Sequence, residues 1–157
     1  MRRPEADPYL RPMTTTETIM DVGSATRAAA SFNHCFETLD AGEGLMADDA
    51  FFDLYPPYWR LQLQGSEAFG RQLRAIASGS QTARVLRVVP TASGFVMEHE
   101  ESRQGPNPEV ARRLWLCTMR DGLIVEAVGY CNGGWDDALR ARHAVEAPML
   151  RPWETDR

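Results

Sequence analysis

The chain contains no lysine, and all 17 of its basic residues are arginine. Schiff-base chemistry and a side-chain amine acting as general base are thereby excluded, since both need an ε-amino group. Positive charge is also in short supply. The net charge of -5 argues against nucleic acid as a partner, which demands a concentrated basic face. Cysteine is scarce and odd in number, and Cys35, Cys117 and Cys131 lack the spacing of metal ligands. Each lies among apolar residues, so free buried thiols in a reducing cytoplasm are expected, with no disulfide and no metal. No apolar run approaches membrane-spanning length, and Arg2 and Arg3 are followed by no signal-peptide core, so no membrane association is expected. Internal repeats and low-complexity segments are absent too. What is there is 157 residues, 43% apolar and 25% charged, the composition of one soluble domain large enough to bury a core.

The most informative stretch runs from Asp48 to Leu73. Ala50–Leu54 has the aromatic and aliphatic content of a strand. Tyr55-Pro56-Pro57-Tyr58 interrupts pairing, because proline fixes φ and lacks a donor. Trp59–Gln64 then alternates Trp59, Leu61 and Leu63 with Arg60, Gln62 and Gln64, a half-buried strand. Gly65 turns the chain, Ser66 is placed to cap a helix, and Ala68, Phe69, Gln72, Leu73 and Ile76 give that helix one apolar stripe.

Before this stretch, residues 1–20 lack periodicity and read as a flexible tail. A helix over Ser24–Leu39 follows, with Ser24 as cap and Ala28, Ala29, Phe32, Cys35, Phe36 and Leu39 as its buried stripe. His34 sits at the stripe's edge as a structural residue, and Gly42 offers a left-handed helix end. After a loop at Ser78–Gln81, strands are expected at Thr82–Val89, Phe95–Arg103, Val110–Arg120 and Leu123–Cys131, with Asp121-Gly122 the strongest hairpin signal. Val110–Arg120 is apolar on both faces and so needs cover on both. Trp135–His143 reads as a short last helix, with Asp136 and Asp137 favouring its N-terminus. Residues 21–144 form a single domain and 145–157 a C-terminal tail. Helix, strand pair, helix and four-strand meander make an α+β order.

Three segments, DAGEGLMADDAFFD, LQLQGSEAF and RDGLIVEAVGYCNGGWDDAL, in this order and spacing resemble the nuclear transport factor 2-like superfamily. The resemblance covers about Ala25 to Ala141. It implies a cone-shaped curved sheet wrapped around N-terminal helices, a fold shared by ketosteroid isomerases, SnoaL-like cyclases, dehydratases, epoxide hydrolases and non-catalytic binders. The acids of the isomerases do not carry over. Their helix tyrosine falls on Cys35, their general base on Leu54 with Asp53 beside it, their protonated acid near Trp115, and the cyclase aspartate at Gly129. The isomerase mechanism is therefore disfavoured.

The same resemblance implies which side chains face inward: Met97, His99 and Glu101; Trp115, Cys117 and Met119; Ala127, Gly129 and Cys131. With Cys35, Phe52, Leu54, Trp59, Arg60 and Leu73 they would line a cavity for a small apolar or aromatic metabolite, with small residues on the last strand leaving room. His99 is the leading candidate base because it titrates near neutrality, with Glu101 as its partner and Tyr58 or Arg60 polarising a substrate oxygen. Asp53 is a further candidate, against an outer-face ion pair with Arg60. A solvated, charged strand edge competes with the whole His99 reading. The expectation is a cofactor-free SnoaL-like enzyme of cyclisation, dehydration or isomerisation in secondary metabolism, with a non-catalytic binding module as the alternative. Leu114 and Leu116, with Val128 and Tyr130 beside them, call for cover by a second copy in a homodimer, and Asn132 belongs to the same outward set.

Overall fold

A computed structural model describes residues 19–76 and 81–147. Helix α1 (Val22–Thr38) leads into strand β1 (Met46–Tyr55), which turns into β2 (Leu61–Gln64) and helix α2 (Ser66–Ile76). The meander follows as β3 (Gln81–Thr91), β4 (Gly94–Arg103), β5 (Glu109–Arg120) and β6 (Leu123–Cys131). A two-residue β7 (Trp135–Asp136) and helix α3 (Asp137–Glu146) close the described chain. Strand order is β2-β1-β6-β5-β4-β3, with β7 added against β5. Because β1 runs parallel to β6 while its other neighbour β2 is antiparallel, the sheet is mixed. This is the expected α+β cone, a curved and unclosed sheet holding α1 and α2 on its inner face.

Alternation explains the layering. On β4 the inward set Phe95, Met97, His99 and Glu101 is almost wholly buried. On β5 the same holds for Trp115 and Cys117, and on β6 for Ala127. Helix α1 covers this face with Ala25, Ala29, Phe32, Cys35 and Phe36, and α2 adds Phe69 and Leu73. Phe32, Phe36, Phe69 and Trp115 pack against one another edge-on, stacked or tilted, with Phe32 to Trp115 centroids 5.1 Å apart and Phe36 to Trp115 5.4 Å. Phe52 lies flat on Phe69 at 4.3 Å. Burial of each such ring stabilises the fold by roughly 1.5–3 kcal/mol, so this cluster anchors both helices to the sheet.

Several boundaries differ from the sequence expectation, each for a local reason. Asp21 rather than Ser24 caps α1, and its carboxylate accepts the Ser24 N–H at 2.9 Å. Leu39, at φ 58°, ends that helix before Gly42 is reached. Strand β1 starts at Met46, and β2 starts only at Leu61, because Trp59 N–H bonds back to Pro56 C=O in a turn. Trp135 pairs with β5 rather than opening a helix, and Asp136 caps α3 by accepting the Leu139 N–H. Asp121 and Gly122 take φ of 53° and 81°, the paired positive values of a two-residue hairpin. Within the expected N-terminal tail, Met20 donates its N–H to Thr91 C=O, which ties it to the sheet. Residues 1–18 and 148–157 of the two expected tails, and most of the 78–81 loop, lie outside the described residues.

Candidate functional site

A cavity lies at one end of the sheet. It is bounded by the last residues of β1, β4 and β6, the middle of β5, and the C-terminal half of α2. Its volume is about 260 Å³. Leu54, Leu61, Phe69, Leu73 and Trp115 give it apolar walls, and Pro56 and Pro57 form one rim. Five residues expected from the sequence do line it: Leu54, Leu73, Trp115, Gly129 and Cys131. Cys35, Phe52, Met97, Cys117 and Ala127 do not. They face inward but are sealed in the core. The aromatic cluster fills the deep part of the cone, so inward-facing and cavity-lining are different properties here. Burial holds the Cys35 thiol up at about 12 and pushes Cys117 higher still, and both are inert packing groups.

His99 faces inward as expected, yet it lies behind Trp115 and does not line the cavity. Asn33, buried on α1, donates its amide N–H to Ala83 C=O at 3.0 Å, which turns its oxygen toward His99 Nδ1 at 2.9 Å. The network therefore assigns the proton to Nδ1. His99 Nε2 is then left to accept the Trp115 indole N–H at 3.1 Å. Burial first, and the nearby Arg113 charge second, lower the ring's pKa to about 3. The ring is neutral with both nitrogens engaged, so the 3.4 Å approach of Glu101 is a contact and not an ion pair. This arrangement positions helix α1 against β3 and β4, and offers no free lone pair to a substrate.

Glu101 is almost fully buried and belongs to the arginines. Arg113 approaches it with Nε at 2.6 Å and donates through Nη2 at 3.2 Å. Arg103 lies 3.7 Å away, and Gln81 donates to the same carboxylate at 3.3 Å. The Arg113 Nε contact is close but lacks hydrogen-bond alignment. Arg103 also donates to Glu109. Arg103 and Arg113 both line the cavity.

The remaining candidates sit elsewhere. Tyr58 is fully exposed at φ 63°, Trp59 is exposed beside it, and neither lines the cavity. The two prolines push this bend outward, which breaks the alternation that placed Trp59 inside. Arg60 forks onto Asp53 with bonds of 2.9 and 2.6 Å, and Tyr55 O–H donates to Asp53 at 3.1 Å. The Arg60 bonds hold the Asp53 carboxyl below its ordinary value against the opposing effect of burial, and the Tyr55 bond adds a smaller lowering. Asp53 is thus the outer-face ion pair, not a base at the cavity.

Sequence reasoning missed Asn33, Arg103 and Arg113. The signal was present: continuing the alternation Met97, His99, Glu101 by one step reaches Arg103, and stepping back from Trp115 reaches Arg113. Asn33 falls between Ala29 and Phe36 at helical spacing, inside the buried stripe. Among the described residues no cluster of His, Cys, Asp and Glu is arranged to hold a metal, and no helix is long and apolar enough to cross a membrane.

A curved mixed sheet with helices packed in its concavity and a cavity at one end defines the α+β cone class. The particular fold is that of the nuclear transport factor 2-like proteins. No family model and no curated protein matches the sequence. Solved structures do match. An LEH-like epoxide hydrolase of M. tuberculosis is 17% identical, with a TM-score of 0.57 over 81% of this chain and 98% of that one. An NTF2-like protein of unknown function from Mesorhizobium loti is 20% identical, with a TM-score of 0.54 over 71% of this chain and 93% of that one. A Catenulispora acidiphila protein with a ketosteroid isomerase-like fold, solved in complex with trimethylamine, is 11% identical, with a TM-score of 0.53 over 66% and 83%. At these identities the likeness carries the fold and no activity.

Proposed function

We propose that this chain is a small-molecule-binding module of the cone fold, holding a small, largely apolar metabolite without acid–base chemistry at His99. One observation carries this reading: the candidate base has both ring nitrogens committed, to Asn33 and to Trp115, and stands outside the cavity. General-base catalysis needs a lone pair within reach of the substrate proton, and none is offered there. The cavity itself has the apolar walls and few polar groups of a ligand site. The enzymatic reading, a SnoaL-like cyclase, dehydratase or isomerase of secondary metabolism, draws support from the neighbour named as an epoxide hydrolase. That neighbour transfers no catalytic residue to this chain.

The test is recovery of ligand. Metabolites that co-purify from host extract, or that shift resonances of Leu73 and Gly129, are incubated with the protein and analysed by mass spectrometry. Binding with unchanged ligand supports the module. Conversion that disappears in His99→Gln overturns it.

The partner we propose is a second copy of this chain. Val89, Val96, Leu116 and Val128 stand in register across four strands on the outer face. Val89, Leu114, Leu116 and Tyr130 are each at least 40% exposed, an apolar patch that calls for cover. Charges of both signs flank the row, with Arg87 and Arg112 beside Glu98, which suits a surface meeting its own copy. Three unpaired thiols fit a reducing cytoplasmic location.

A further inference from the structure

The cavity has a single charged wall. Among the described residues that line it, Arg103 and Arg113 are the only charged ones, and no carboxylate joins them there. Their side chains are 14% and 13% exposed, so both cations are largely removed from bulk water. Glu101, 1% exposed, stands between them as the one buried counter-charge. Glu109 meets only Arg103, from a more exposed position. Two cations thus meet two carboxylates, but neither carboxylate lines the cavity, so the face presented to a ligand is the guanidinium one.

Hydrogen-bond capacity tells the same story. A guanidinium carries five N–H donors in a planar fork. Arg113 spends Nη2 on Glu101, and its Nε contact lacks hydrogen-bond alignment. Its Nη1 makes no hydrogen bond among the described residues. Donors of a largely buried arginine beside apolar walls are positioned for an acceptor that arrives with the ligand.

We propose that the cavity takes a small aromatic or alicyclic carboxylic acid, with its carboxylate on Arg113, Arg103 alongside, and its ring on Leu54, Phe69, Leu73 and Trp115. This deepens the ligand-binding reading and rests on it. A carboxylate matches the guanidinium fork and accepts the Arg113 donors that Glu101 leaves unspent. The cavity of about 260 Å³ lies below the range usual for drug-sized ligands, which selects a single ring over a steroid-sized skeleton.

The test compares benzoate, cyclohexanecarboxylate, methyl benzoate and toluene by titration calorimetry and by NMR shifts of Leu73 and Gly129. The acids should bind about tenfold or more tightly than the ester and the hydrocarbon, the scale of one charge-assisted pair. Glu101→Gln should strengthen acid binding several-fold, because it frees Arg113 donors and removes a competing negative charge. A purely structural role for the pair would not produce that gain. Arg113→Met should abolish the preference for acids and leave toluene binding in place. Since that variant strands Glu101 without its partner, the double variant Glu101→Gln with Arg113→Met serves as the fold-safe form, with the same expected outcome. Toluene or the ester binding as tightly as benzoate, or Glu101→Gln weakening the acids, overturns the carboxylate assignment and leaves the ligand cavity standing. If no compound of the series shifts a cavity resonance, both readings fall.

Discussion

The indole of Trp115 occupies the space that a side chain at Gly129 would need: a Cβ built there would lie 2.5 Å from Trp115 Cζ3. The two residues face each other in register across β5 and β6. Glycine at 129 therefore does not leave the cone open. It admits a large ring that closes the deep part of the cone and hides His99 behind it.

Gly129→Ala should be destabilising, by about 1–3 kcal/mol for an overpacked site. The indole has one direction in which to yield, toward the cavity it already lines. Urea unfolding should report the lost stability, and the Trp115 side-chain resonances should shift together with Leu73. An unchanged midpoint and unchanged resonances would contradict the packing described for this pair.

The neutral His99 predicts a pH dependence. Its folded pKa of about 3 lies below the ordinary value of 6.5, so below pH 6.5 the unfolded chain binds a proton that the folded chain refuses. Stability is thus fully present above 6.5 and falls as the pH drops toward 3, with a slope approaching about 1.4 kcal/mol per pH unit. Asp53, whose pKa is lowered from 3.8, contributes in the same direction but only below about pH 4. Chemical denaturation between pH 4.5 and 7 isolates the histidine. His99→Gln should flatten that slope, and a slope identical to the parent's would show that the ring is not the neutral buried group assigned.

Leu54 lies on the inner face of β1, paired with Gly129, and lines the cavity. Leu54→Asp should cost roughly 1–3 kcal/mol, because it puts a carboxyl into an apolar wall of the cavity. Asp53 keeps its outer-face pair with Arg60 in this variant. Thermal unfolding that leaves the variant as stable as the parent would place β1 one residue out of register.

Leu116→Glu tests the outer face. The side chain is 43% exposed, so the monomer fold should tolerate the change with little loss, as surface substitutions usually do. Light scattering at micromolar concentration should give a dimer for the parent and a monomer for the variant. A monomeric parent would refute the proposed homodimer.

Much of this molecule was legible in the order of its residues. Strand composition and turn signals located β4, β5 and β6, and the resemblance to the cone fold implied which of their side chains face inward. Asp121-Gly122 announced its hairpin, because few other residues take two successive positive φ values. Alternation failed at Trp59, where two prolines interrupt the strand before it, and helix ends moved by a few residues wherever another capping group was available. The match of Asp53 with Arg60 was readable as one of two options, and the register of β1 against β2, with Asp53 opposite Gln62, decided between them.

The sequence by itself determined the α+β order and the absence of lysine chemistry, since each follows from residue type and local spacing. It placed His99, Glu101 and Trp115 on the inside but left open what the inside contained. Only the tertiary structure decided that Trp115 fills the space at Gly129, that Asn33 from a helix 66 residues away in the chain fixes the tautomer of His99, and that Arg103 and Arg113 reach the cavity. Those facts depend on how side-chain volumes from distant segments fill one enclosed space, and on which buried donor finds which acceptor. Neither is encoded at any single position.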